Sequence, residues 1–175
     1  EMFIADLLTE MPATKLLSAV NNLSDKAIIN EKAVNEPIAE INVAISAAKS
    51  VNSKDANANL TAGTVLMNST KTPLKQVRDI VGATSTKYQM VADNLAKQIL
   101  QCGINYYNNA SDDDVESPRK AMILQAYALQ IAIGQLTKDR CQENYDVLKK
   151  AVDNMPPAEV AIETRKVKEE LRRFC

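Results

Sequence analysis

Three cysteines, Cys102, Cys141 and Cys175, are the side chains of this 175-residue chain whose type and spacing allow covalent chemistry. Three make one disulfide and leave one thiol over. The chain has no histidine, which removes the commonest general base and the commonest transition-metal ligand together. No Gly-rich phosphate loop, Cys-x-x-Cys pair or nucleophile elbow occurs. Asp112-Asp113-Asp114 with Glu116 offers oxygen ligands of the kind calcium takes. The run lacks the alternating spacing and glycine of an EF-hand loop, so it reads as a solvated acidic helix start. The spacings therefore yield no catalytic residue, no metal and no cofactor, and the expectation is a non-enzymatic protein.

Four Asn-X-Ser/Thr tripeptides occur, at Asn22, Asn59, Asn68 and Asn109. Three fall at or beside expected helix ends, and Asn59, Asn68 and Asn109 are the candidate glycosylation sites. Together with the cysteines they point to a secreted or extracellular glycoprotein. The 21 basic and 22 acidic side chains leave a net charge of -1, which gives no general attraction to nucleic acid or acidic membranes. The segment from Glu163 to Arg173 mixes both signs at helical spacing and reads as salt-bridged surface. No apolar run reaches the roughly 20 residues of a membrane span; Ala121 to Leu136 is interrupted by Gln125, Gln130 and Gly134.

Those residues must be positioned by helices. A chain that is 46% hydrophobic yet has four glycines, no tryptophan and two phenylalanines suits helices filled by Ala, Leu, Ile and Val. From Pro73 to Asn109, apolar or small residues recur in steps of 3 and 4, at Leu74, Val77, Val81, Thr84, Tyr88, Val91, Leu95, Gln98, Cys102 and Tyr106. This heptad seam predicts one helix about 50 Å long, which cannot be stable without partners of similar length. Ser24 caps a second long helix running to about Ser53, with a kink or break near Asn35 and Glu36 before Pro37. A weaker helix over Asp55 to Asn68 and a turn over Asn68 to Thr72 follow. Ser117-Pro118 starts a third long helix reaching Met155, apolar nearly all round from Met122 to Leu136 and expected to be the most buried. The fold class is all-α: one elongated antiparallel helical bundle with long helices over 24–53, 73–109 and 118–155. Shorter N-terminal helices fill 1–22, and a charged C-terminal helix fills 158–175.

That frame assigns the cysteines. Cys102 lies seven residues before Asn109 and Cys141 lies 23 beyond Pro118, so an unbroken hairpin sets them roughly 24 Å apart in height. A disulfide tolerates only about 6 Å between Cα atoms. Cys141 and Cys175 stand at similar distances on either side of Pro156-Pro157, so Cys141–Cys175 is the expected bridge.

Cys141-Gln-Glu-Asn-Tyr145 and the 39-residue gap from Cys102 resemble the second half of the plant invertase and pectin-methylesterase inhibitors, which are secreted helical bundles. The N-terminal cysteine pair of those inhibitors has no counterpart here, and the heptad register forbids a Cys102–Cys141 bridge, so the resemblance is not carried over.

Three functions follow. The first is a secreted or cell-surface protein that binds a macromolecular partner, most simply another protein, through a bundle face. The second is a carrier of a fatty acid or other apolar ligand in a slot between helices, lined by Tyr127, Leu129 and Ile133 among small Ala126, Ala128, Ala132 and Gly134. The third is an intracellular adaptor or a homo-oligomer that associates through a coiled-coil seam.

Overall fold

The computed structural model describes residues 23–155 apart from residue 112, with side chains from residue 31 onward. Five helices occupy these residues: α1 Leu23–Lys49, α2 Ala56–Val81, α3 Thr86–Asn109, α4 Ser117–Ile131 and α5 Gln135–Asp153. No strand occurs among the described residues. The all-α expectation agrees with this. The N-terminal helices expected in 1–22, the helix expected in 158–175, and with them Asn22 and Cys175, lie outside the described residues.

The helix boundaries differ from the sequence expectation at Pro37, Pro73, Gly82 and Gly134, and agree with it at Ser117-Pro118. α1 is continuous through Pro37, and α2 is continuous through Pro73. Proline inside a helix forfeits one backbone hydrogen bond and strains the preceding turn. Both rings are buried here, so packing of the apolar stripe offsets that loss. α1 lays Val34, Ile41, Ile45 and Ala48 into the core. α2 also takes in the polar stretch 68–72 that reads as a turn. Thr70 is buried there, and its hydroxyl donates to the Leu66 carbonyl at 2.6 Å. The helix itself thus satisfies a residue whose type favours loops.

The expected helix 73–109 is two helices. Gly82 has φ 88°, in the left-handed region, and its N–H donates to the Arg78 carbonyl at 2.8 Å to close α2. Four residues, Gly82 to Ser85, make the corner before α3. The seam crosses this corner in phase, so Val81 and Tyr88 both pack against the core although the helix axis has broken. A 3.5-residue period reports which side chains face inward, not whether the axis is continuous.

The expected helix 118–155 is also two, divided at Ala132 to Gly134. Its first half is not the most buried element: Ala121, Leu124, Gln125 and Ala128 are buried, whereas Ile123 is 59% exposed. That place belongs to α3, which packs against all four other helices. It buries Ala92, Leu95, Ala96, Ile99, Leu100 and Cys102, and further on Tyr106. A helix touched on several sides needs small residues to let its neighbours approach, and α3 supplies Ala92, Ala96 and Gly103 there.

Candidate functional site

Two contacts fix how α5 lies against α3. The carboxylate of Asp93, near the start of α3, accepts the backbone N–H groups of Ile133 (2.8 Å) and Gly134 (3.1 Å) at the corner between α4 and α5. Further along, the Arg140 guanidinium donates to the Gln101 side-chain oxygen at 3.3 Å. The sequence offsets are 41 and 39 residues, so the two helices advance in the same sense at nearly the same rate. Cys102 and Cys141 are the next residues after that second pair. They stand level, both fully buried in one core cluster. The roughly 24 Å height difference expected for an unbroken hairpin is thus overturned. The chain turns back at Ala132 to Gly134, which carries Cys141 back along α3.

Both thiols are free. Burial pushes the Cys102 thiol above its ordinary pKa, partly offset by the Gln98 amide that donates to its sulfur at 3.7 Å. Burial raises Cys141 as well, partly offset by the Arg140 charge. The Asp93 carboxylate raises Cys141 further, and thiols held protonated are poor nucleophiles. No group of three or more His, Cys, Asp or Glu side chains among the described residues is arranged to hold a metal ion.

A polar ladder runs beside the thiols and was not anticipated from sequence. Arg140 reaches Gln101, Gln101 donates to Asn105 at 2.8 Å, and Asn105 donates to Asn59 at 3.0 Å. The Asn59 amide nitrogen then donates to the carbonyls of Asn52 and Asp55, each at 2.7 Å. The ladder joins α5, α3, α2 and the turn that precedes α2. Side-chain amides matched donor to acceptor specify register, because a one-residue slip would leave them unpaired.

The glycosylation candidates separate in this setting. Asn59 is 2% exposed, and both its amide hydrogens are engaged. Asn59 therefore has neither a spare amide hydrogen nor an open side in this packing. Asn68 is exposed on α2, and its oxygen accepts from Lys71 at 3.1 Å. Asn109 is exposed at the end of α3, where its amide donates to the carbonyls of Ser53 and Asn105.

The ligand-slot candidates are half-buried wall residues. Tyr127, Leu129 and Ile133 pack against the main core, and the Lys71 ammonium lies 5.6 Å from the centre of the Tyr127 ring. An apolar groove of about 480 Å³ lies elsewhere, between α1 and α2, lined by Ala44, Ala48, Val51, Ala58, Ala62 and Val65 among others. None of the three candidates lines it. Val43 and Val65, 71% and 60% exposed, lie on the same two helices. The seam residues Leu74, Val77, Leu95, Cys102 and Tyr106 are buried within the chain's own core, so they present nothing to a second copy.

Asp114 and Glu116 of the acidic run are paired locally. Asp114 accepts the Tyr106 hydroxyl at 2.8 Å and the Lys120 ammonium at 3.0 Å. Burial opposes the charge on Asp114, but the bonds from Tyr106 and Lys120 outweigh it and hold the carboxyl below its ordinary pKa. Burial, and then the Asp114 carboxylate, drive the Tyr106 phenol well above its usual range. Glu116 pairs with Arg119 at 2.9 Å.

No family model, curated protein or solved structure matches this chain. No helix among the described residues is long and apolar enough to cross a membrane.

Two features of the site had a legible signal. Gly134 follows an apolar helical run, which is a stop signal. Asn and Gln spaced by four on α3, at Gln101 and Asn105, sit where charged residues would be commoner on a solvated face.

Proposed function

We propose that this chain is a non-enzymatic, secreted or cell-surface protein that binds a macromolecular partner through a face of an antiparallel helical bundle. The observation that supports it most is the register of α5 on α3. It removes the height objection that kept the Cys141-Gln-Glu-Asn-Tyr145 resemblance from being carried over. With Cys102 and Cys141 level, the resemblance to the invertase and pectin-methylesterase inhibitors implies a partner of one class, a secreted carbohydrate-acting enzyme. It also implies that these two cysteines, not Cys141 and Cys175, are joined in an oxidising compartment. The inhibitors' N-terminal cysteine pair has no counterpart in this sequence, so nothing that depends on it is transferred.

The direct experiment mixes the full chain with a plant invertase and, separately, with a pectin methylesterase, and follows residual activity and co-elution. A stoichiometric complex that lowers the activity of one enzyme is the expected result. Full activity of both, with no complex at micromolar concentration, would remove the enzyme-inhibitor reading. A non-reducing peptide map of natural-source protein tests the compartment: three free thiols and bare asparagines would remove secretion.

The groove between α1 and α2 supports a second reading, a carrier of an apolar ligand such as a fatty acid. Its place would be the groove and not the Tyr127, Leu129 and Ile133 wall. An organic extract of natural-source protein containing no stoichiometric lipid would count against it.

A further inference from the structure

The same tripeptide at Asn59, Asn68 and Asn109 meets three different environments, and amide chemistry discriminates among them. Attachment of an N-glycan forms a bond between the asparagine amide nitrogen and a sugar C1. The C1–O bond to the pyrophosphate of a polyisoprenyl-linked oligosaccharide donor breaks, and the pyrophosphate leaves with the electron pair. One amide hydrogen is given up as a proton, so the modified side chain keeps a single N–H and gains a bulky, solvated substituent.

Asn59 cannot make that exchange and keep this fold. Both its hydrogens are donated, to Asn52 and Asp55, its oxygen takes the Asn105 amide, and the side chain is walled in. Asn109 has the room, but one of its two hydrogen bonds, to Ser53 or to Asn105, must be surrendered. Asn68 loses neither room nor donor: its bond to Lys71 uses the oxygen, which glycosylation leaves in place. Its sequon threonine, Thr70, is buried, so the tripeptide is anchored to the helix from within while Asn68 stays outside. Thr61, Val65 and Asn68 follow one another in steps of four and three, so they share one side of α2. A glycan on Asn68 would rise beside the exposed Val65, at the edge of the α1–α2 groove.

We infer that Asn68 is the principal N-glycan acceptor among these three tripeptides, with occupancy falling from Asn68 to Asn109 to Asn59. Transfer precedes folding, so the fold acts as a filter: a chain modified at Asn59 cannot close its core, whereas one modified at Asn68 folds unchanged. The inference rests on the secreted reading for its biological relevance, and its test is separable from that reading. The full chain is expressed behind a secretion signal in a eukaryotic host, and the folded monomer is mapped by mass spectrometry before and after enzymatic glycan release. The expected map has a glycan on most Asn68 peptides, fewer on Asn109 and none on Asn59. Asn68→Gln should remove that glycan and leave the melting temperature of the deglycosylated protein unchanged, whereas Asn59→Gln should lower it. A bare Asn68 in this secreted material, or a glycan on Asn59 in a fraction that melts like the rest, would overturn the assignment. An occupied Asn68 here beside bare asparagines in natural-source protein would leave the acceptor assignment standing and overturn secretion.

Discussion

The two corners that break the expected long helices are built on different principles. At Gly82 the chain turns because one residue adopts a left-handed backbone, and the hydrogen bond that closes α2 comes from four residues away. At Ala132 to Gly134 the backbone has no residue with positive φ. That corner is held by Asp93, whose carboxylate comes from 40 residues upstream and takes two N–H groups. A Cβ on Gly134 would lie 2.5 Å from an Asp93 oxygen, so the close approach of the carboxylate requires glycine there. The first corner is local and costs only its own dihedral preference. The second is tertiary, and α5 takes its position from it.

The sharpest way to break this contrast is at Asp93. Asp93→Ala leaves two N–H groups of a half-buried corner without their acceptor, and about 2–3 kcal/mol of unfolding free energy should be lost in denaturant titrations. Because the corner sets the α5 register, the same variant, in its reduced form, should expose the Cys141 thiol to labelling reagents well below the unfolding midpoint. Gly134→Ala attacks the same clasp from the other side. Its effect should be far from additive with Asp93→Ala, since the clashing atom is gone in the double variant. Additive losses would mean that the two residues do not form one unit.

The local corner should respond less. Gly82→Ala meets no atom within 4 Å, so its whole effect is the positive φ, about 1–2 kcal/mol. Thiol labelling of Cys141 should not change beyond what the global stability loss explains. Unequal behaviour of the two cysteines in that variant would blur the distinction between the corners.

A third prediction concerns Asp114, which fastens the start of α4 to Tyr106 and Lys120. Its carboxyl binds protons more weakly folded than unfolded. Its stabilisation is therefore complete above the unfolded value of about 3.9 and is lost as pH falls through the lower folded value. Asp114→Asn should lower the melting temperature at pH 7 and flatten its decline below about pH 4. An unchanged acid limb would show that other carboxylates dominate it.

The smallest effect is expected at the exposed end of the ladder. Arg140 is exposed, and its contact with Gln101 is long, so Arg140→Ala should cost no more than about 0.5 kcal/mol. Asn59→Leu at the buried end leaves the Asn105 amide without its acceptor, while the Asn52 and Asp55 carbonyls keep their backbone donors, and it should cost about 1–3 kcal/mol in the same titration.

Much of the fold was legible because it depends on side-chain period alone. Leu74 and Val77 on α2, and Leu95, Cys102 and Tyr106 on α3, all belong to the seam read from the sequence, and all are buried. The helix breaks were not legible from the same pattern. At Gly82 the corner keeps the stripe in phase, and at Gly134 the apolar pattern continues to Leu136, so the stop is carried by the glycine and not by the period. The site was less legible still. Asn59 reads as a surface acceptor only from its Asn-X-Thr tripeptide, and its neighbours Asn52, Asp55 and Asn105 make it a buried node.

The amino-acid sequence by itself determined that the chain is helical, which faces of its helices are apolar, and that it lacks histidine-based chemistry. Those are properties of residue type and of a 3.6-residue period. Tertiary structure alone decided that Cys102 and Cys141 stand level, that Asn59 is closed and Asn68 open, and that α3 is the central helix. The physical reason is distance along the chain: Asp93 lies 41 residues from Gly134 and Asn105 lies 46 from Asn59, beyond the reach of a local pattern.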